Sequence, residues 1–312
     1  MKKSFGIIMA LMAMIGMLAF GGQALAYQVI GDAAHPGAYS FAGSLSTLLS
    51  ITDGGYKSAY GASGGDYIIV TGSTGATVLI SSGELQTGAL TASLVSNGSG
   101  YNLNAGARSI TNVTSIQAVA VPKPTNYPGS KYEPSTAFTV YGTGITPTVF
   151  NLTGVGGINL STMSGQITDY YHTSGKSSDD TYTGPTIQAV LLAAGVNTGN
   201  LNQYVIVQGV DGYYEVLSMA EIDSTYTTST LGGAKAGQQP LVAWWMDGAL
   251  LFSSSGQMRT AMPGDNGSTG RFTKFLYNVD VEPGPAPTPL PAALYLLGPG
   301  LAGLAALKRR FI

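Results

Sequence analysis

The strongest constraint on this 312-residue chain is that it contains a long stretch twice. Tyr67-Ile68-Ile69-Val70-Thr71-Gly72-Ser73-Thr74-Gly75 lies beside Tyr204-Val205-Ile206-Val207-Gln208-Gly209-Val210-Asp211-Gly212, and the match runs without a gap to Glu84-Leu85 and Glu221-Ile222. Tyr67, Val70, Gly72, Gly75, Ser81 and Glu84 are identical to their counterparts, and several other pairs exchange one β-branched or aliphatic residue for another. A second match closes each copy, Arg108 to Ile116 beside Arg271 to Val279. Copies of this length are duplicated domains rather than the short units of a solenoid. The expectation is two similar modules of mixed, β-rich α+β class, because Gly-, Ser- and Thr-rich sequence forms helices poorly.

Local patterns place the elements of the second copy. Tyr182-Thr183-Gly184-Pro185 reads as a turn. Thr186 to Val196 reads as a helix, apolar at helical spacing and stopped by Gly195. Tyr204 to Val207 is a buried strand that turns at Gly209 to Tyr213 and returns as Tyr214 to Leu217. Leu241 to Met246 reads as one strand, Asp247-Gly248 as a hairpin turn, and Phe275 to Val281 as the strand that closes the sheet.

Only 10% of residues are charged, the net charge is −2, and no basic block lies between the two ends, so nucleic-acid binding has no electrostatic support. The sequence has no cysteine. Disulfides, iron–sulfur clusters, zinc–thiolate sites and thiol nucleophiles are therefore excluded.

The ends read as addresses rather than fold. Lys2 and Lys3 precede an apolar run from Ile7 to Phe20, and Gln23-Ala24-Leu25-Ala26 supplies small residues for cleavage before Tyr27. Residues 1–26 are the expected signal peptide; a membrane anchor is the alternative, for which the run is short. At the other end, Pro283 to Pro289 is an extended spacer, Leu290 to Leu307 is apolar, and Lys308-Arg309-Arg310 follows. Pro289-Leu290-Pro291-Ala292-Ala293, Leu296-Leu297-Gly298 and the basic cluster resemble the PEP-CTERM class of sorting signals in its VPLPA variant, with Thr288 where that variant has Val. The resemblance implies an exosortase-type processing protease as partner, transient attachment to the inner membrane, and export to the periplasm, surface or extracellular matrix of a Gram-negative-type cell. The alternative is a plain C-terminal anchor.

Tyr182-Thr183-Gly184-Pro185, Ala193-Ala194-Gly195-Val196, Val210 to Tyr213, Met219-Ala220-Glu221, Val242-Ala243-Trp244 with Asp247 to Leu250, Arg259 to Asp265, and Gly270 to Phe275 stand in an order that resembles the molybdopterin-binding domain of the sulfite-oxidase type. The organisation read from this is a shortened first module at 27–122, a linker at 123–144, a molybdopterin-binding-like module at 145–282, a spacer at 283–289 and a tail at 290–312. The terminal apolar segments are expected to be helical. Enzymes of that family hold molybdenum through a cysteine thiolate, and this chain has none. The expectation is a fold that kept its shape without the redox centre, acting in ligand binding or in the matrix, with no cofactor; molybdopterin enters by resemblance only. The alternative is an exported molybdopterin-dependent oxidoreductase lacking the usual cysteine ligand.

Candidate site residues follow from that resemblance. Arg259, Arg271 and Lys274 would form an anion or pterin-phosphate cradle beside Pro263-Gly264-Asp265-Asn266-Gly267. Otherwise they fix loops through backbone carbonyls and Asp265. Asp211 and Glu221 are acid/base candidates, or else a turn residue and the cap of a helix starting after Ser218. His35 and His172 lie in different copies and form no metal-spaced pair, so no metal ligands and no catalytic residues are assigned. Trp244, Trp245 and the 18 tyrosines could stack on sugars, making exopolysaccharide a candidate partner.

Overall fold

The computed structural model describes residues 26–33, 35–52, 66–86, 90–129, 136–171, 180–227, 239–251, 256–262 and 271–284. Most of the segment expected as a signal peptide at 1–26, the tail expected at 290–312, His172 and residues 263–270 lie outside the described residues. No helix among the described residues is long and apolar enough to cross a membrane.

The fold is β-rich with few helices. The first half runs β1 (Tyr27–Gly31), β2 (Gly37–Tyr39), β3 (Gly43–Ser44), α1 (Leu45–Thr52), β4 (Asp66–Gly72), β5 (Thr77–Ser81), α2 (Ser82–Gln86), β6 (Ser93–Ser96), β7 (Tyr101–Asn104) and β8 (Val113–Ala120). Its main sheet has the order β2-β1-β8-β4-β5, with β1 parallel to β8 and the other neighbours antiparallel.

The second half begins with β9 (Ala137–Gly142), β10 (Ile145–Asn151), β11 (Ile158–Asn159), β12 (Gln166–Tyr171), β13 (Asp180–Pro185) and α3 (Ile187–Ala193). It continues through β14 (Gln203–Gly209), β15 (Tyr214–Ser218), α4 (Met219–Ile222), α5 (Ser224–Thr227), β16 (Leu241–Ala243), β17 (Trp245–Met246), β18 (Ala249–Leu250), β19 (Arg259–Ala261) and β20 (Leu276–Pro283). Its main sheet has the order β11-β10-β9-β20-β14-β15, and β9 is parallel to β20 while β20-β14-β15 are antiparallel.

The two sheets agree beyond strand order. The β4–β8 ladder slips between Thr71 and Gly72, and the β14–β20 ladder slips between Gln208 and Gly209. At each slip a non-glycine residue takes positive φ, Asn112 at 49° and Phe275 at 53°. A Cβ on Gly72 would stand 2.7 Å from the Thr111 carbonyl oxygen, and one on Gly209 would stand 2.6 Å from that of Lys274. Both bulges therefore require glycine for the same steric reason. The strand preceding the first helix behaves alike: Leu45 N–H donates to the Ala92 carbonyl, and Ile187 N–H to the Pro240 carbonyl.

Each main sheet is covered on both faces, which is why β4 and β14 read as unbroken apolar runs. On one face Ile68, Val70 and Ile80 meet Leu45, Leu48 and Tyr27. Val205, Val207 and Leu217 likewise meet Ile187, Val190 and Leu191. On the other face the sheets meet each other: Tyr67, Ile69 and Leu79 pack with Ile206, Tyr214 and Val216, and the rings of Tyr67 and Tyr204 lie 4.6 Å apart.

The expected linker at 123–144 includes Ala137–Gly142, which form β9, an interior strand of the second sheet. Its ladder partner β20 begins more than 130 residues later, so no local pattern marks it. Tyr182 to Pro185 is a strand end rather than a turn; Gly184 is required there because a Cβ would fall on the Val242 carbonyl. Leu241 to Met246 breaks at Trp244, with β16 paired to β19 and β17 to β13 and β18. The helix forms over Ile187–Ala193 with Thr186 as N-cap, and Asp247-Gly248 turns at φ 51° and 80°.

Candidate functional site

The residues repeated most faithfully converge where the two sheets touch. Ser81 ends β5, and its hydroxyl accepts from Glu84 N–H (3.3 Å) while Glu84 Oε1 accepts from Ser81 N–H (2.8 Å). Ser218 and Glu221 form the same capping box at 3.1 and 2.7 Å. The boxes then exchange partners. Ser81 Oγ donates to Glu221 Oε1 at 2.8 Å, and Ser218 Oγ donates to Glu84 Oε1 at 3.0 Å. Each carboxylate gives its second oxygen to an arginine of its own half: Arg108 Nη1 to Glu84 Oε2 at 2.6 Å, Arg271 Nη1 to Glu221 Oε2 at 2.5 Å.

All six residues are buried, none more than 3% exposed. Two carboxylates face two guanidinium groups, so the cluster is formally neutral. Burial is the largest influence on Glu84 and pushes its carboxyl above the ordinary range; Arg108 opposes this and the neighbouring Glu221 reinforces it. Gly83 belongs to the same arrangement, since a Cβ there would collide with the Arg271 side chain. A buried, formally neutral, reciprocally bonded cluster can fix two elements against each other.

The three basic residues proposed as a cradle occupy three different environments. Arg271 is held by Glu221 as described. Arg259, on β19, lies under the rings of Tyr182 and Phe272, its guanidinium carbon 5.2 Å from each centroid. It is 6% exposed, and its Nε has no partner among the described residues. Burial lowers its pKa, with Tyr182, Glu215 and Asp180 acting the other way. Burial likewise pushes the Tyr182 hydroxyl up to about 12, against the pull of Arg259. Lys274 is exposed. Asp211 accepts from Tyr213 N–H at 3.0 Å and serves the turn. His35 is exposed, and its carbonyl accepts from the Tyr39 hydroxyl. Among the described residues no group of three or more His, Asp or Glu side chains could hold a metal.

The thiolate that the sulfite-oxidase type uses to hold molybdenum has no equivalent in this sequence. Arg271 is paired with Glu221, and Arg259 stands against the neighbouring rings of Tyr182 and Phe272. Sequence reasoning missed Arg108 and the pairing of both arginines with the capping glutamates. The signal was there: Ser, Glu and Arg recur together in both copies.

Asp280 of β20 carries a different strain. Its strand neighbours are Tyr141 and Ile206, and burial, followed by Glu282, pushes its carboxyl up to about 6 from an ordinary 3.8. The folded value exceeds the unfolded one, so stability falls as pH rises between these values and the penalty is complete above pH 6. Asp280→Asn is expected to raise stability at pH 7 by about 1 kcal/mol, after allowing for solvent screening of a half-buried group, and by nothing at pH 3. Urea unfolding at the two pH values checks this; an equal effect at both would show that titration is not the cause.

No family model matches the sequence, and no curated protein matches it. Among solved structures, the chain is similar to the sulfane dehydrogenase SoxCD from Paracoccus pantotrophus, at 13% identity and a TM-score of 0.35. The match covers 54% of this chain and 42% of that one, so the chain spans less than half the length of the enzyme chain it matches.

Proposed function

We propose that this is an exported, surface-sorted protein built from two copies of one molybdopterin-domain-like module, acting in ligand binding or in the extracellular matrix rather than in catalysis. The observation that carries the reading is the reciprocal Ser–Glu–Arg cluster. The arginine that the family resemblance would offer to a cofactor is used to lock one half of the chain to the other, and the first half uses Arg108 in the same way. The matching bulges and strand orders support duplication of a single module.

Export rests on the sequence of the two ends. It is consistent with the fold that β1 begins at Tyr27, fully buried, at the residue where cleavage after Ala26 would leave the new N-terminus. An exosortase-type protease as processing partner and transient attachment to the inner membrane through the tail belong to the same proposal, as does molybdopterin being absent.

Elemental and pterin analysis of the purified protein tests the reading. Molybdenum and oxidised pterin are expected far below one equivalent per chain. Either one at stoichiometric level would contradict it and favour the oxidoreductase.

A further inference from the structure

The second half carries a small sheet with no counterpart among the described residues of the first. In the first half β2 ends at Tyr39, β3 begins at Gly43 and α1 follows directly at Leu45, whereas the second half inserts β11, β12 and most of β13 before α3 and adds the hairpin β17–β18. Of these additions, β11 joins the main sheet beside β10, and the others form the four-stranded sheet β12-β13-β17-β18. Both tryptophans of the chain stand in or beside it.

Its register sorts the two faces. Tyr182 pairs with Met246, and both pack into the cluster around Leu241, Ala243, Leu251 and Phe272. The residues next to them in β13 and β17 therefore point the other way. There Thr168, Thr183, Trp245 and Leu250 are direct cross-strand partners in succession, one from each strand. Thr168 and Thr183 join their hydroxyls at 2.9 Å, Leu250 is 47% exposed, and Trp245 is half-buried in a T-shaped pair with Trp244 at 5.6 Å.

The geometry points to this row as a binding platform for a neutral polysaccharide with an apolar pyranose face, such as a β-linked glucan. A half-buried indole held in place by a second indole offers a flat apolar surface with little rotamer freedom to lose. The two threonine hydroxyls beside it can donate to and accept from sugar hydroxyls. No position in the row is ionisable, so it has nothing to attract a uronate or a phosphorylated polymer and nothing to steer a protein partner by charge. Placing the row on an inserted sheet leaves the contact between the halves untouched. This inference rests on the reading of the protein as a non-catalytic surface protein and supplies its ligand class.

Affinity electrophoresis of the full chain through gels containing soluble mixed-linkage β-glucan or polygalacturonate tests it. Retardation by the glucan, unchanged in 0.5 M salt, is expected, with none by polygalacturonate; 0.5 M salt is chosen as roughly the point where the screening length falls below 5 Å. Trp245→Ala should weaken glucan binding by roughly tenfold, about 1.4 kcal/mol, while Trp245→Phe keeps most of it and Thr183→Val loses an intermediate amount. Circular dichroism and thermal midpoints identify any variant that fails to fold; the Thr183→Val and Trp245→Phe results then stand in for Trp245→Ala. No retardation by the glucan, retardation abolished by salt, stronger binding to polygalacturonate, or wild-type binding by folded Trp245→Ala would each overturn the inference. Failure here would leave the molybdenum and pterin result unaffected, so the two readings fail separately.

Discussion

Arg108→Met is expected to destabilise the protein by about 3–5 kcal/mol, the range for removing one partner of a buried ion pair. The substitution leaves Glu84 buried with Glu221 close by and without the guanidinium that opposes the effect of burial. Its carboxyl then moves further above the ordinary range. A carboxyl whose folded pKa lies above its unfolded one contributes most below the unfolded value, so the variant should lose stability progressively as pH rises from 4 towards neutrality. Adding Glu84→Gln removes the charge but keeps an acceptor for Ser81 N–H and Ser218 Oγ. The double variant should therefore recover at least about 1 kcal/mol relative to Arg108→Met alone. Urea denaturation measures both. A cost within about 1 kcal/mol of wild type would mean the cluster is not the clamp described.

The second large effect is steric. Gly142 lies in β9 at φ 152°, and a Cβ there would fall on the Val281 carbonyl in the parallel ladder with β20. Gly31 stands in the same relation to the Ala118 carbonyl, in the β1–β8 ladder, at φ 81°. The obstacle in each case is backbone locked in an interior pair of strands, so relief requires the strands to separate. Gly142→Ala and Gly31→Ala should each cost about 3 kcal/mol or more, combining overlap with an unfavourable φ. Gly75→Ala is the control. Its φ is also 81°, but nothing lies within 4 Å of the new Cβ, so only the conformational cost of about 1 kcal/mol remains. Thermal midpoints should separate the control from the other two by several degrees, at roughly 2–4 °C per kcal/mol.

What was legible in the sequence was what repeats or is local. The hairpins Tyr67–Ser81 and Tyr204–Ser218 could be read because their pairing is between neighbours and their glycines recur. Helix α3 announced itself through Thr186 and Gly195. Strand β9 could not be read: Ala137–Gly142 is short, follows a proline-rich stretch, and gains its order from β20 far along the chain. Trp244 interrupts a run of strand-forming residues for a reason visible only in three dimensions, since β16 and β17 belong to different sheets. The candidate site was half legible. Glu221 could be read as a capping residue after Ser218, but the resemblance places Arg271 with Arg259 and Lys274 in one cradle. Burial decides otherwise, placing one arginine against a carboxylate and another against two rings.

The two halves form one unit held by contacts that are reciprocal between them. Hydrogen exchange under mildly destabilising urea measures this directly, by comparing the amides of Ile68 to Val70 in β4 with those of Val205 to Val207 in β14. Both sets are expected to open in one cooperative event with the same free energy, and Arg108→Met to lower that energy equally in both halves. Separate opening free energies for β4 and β14, with Arg108→Met affecting only β4, would contradict it.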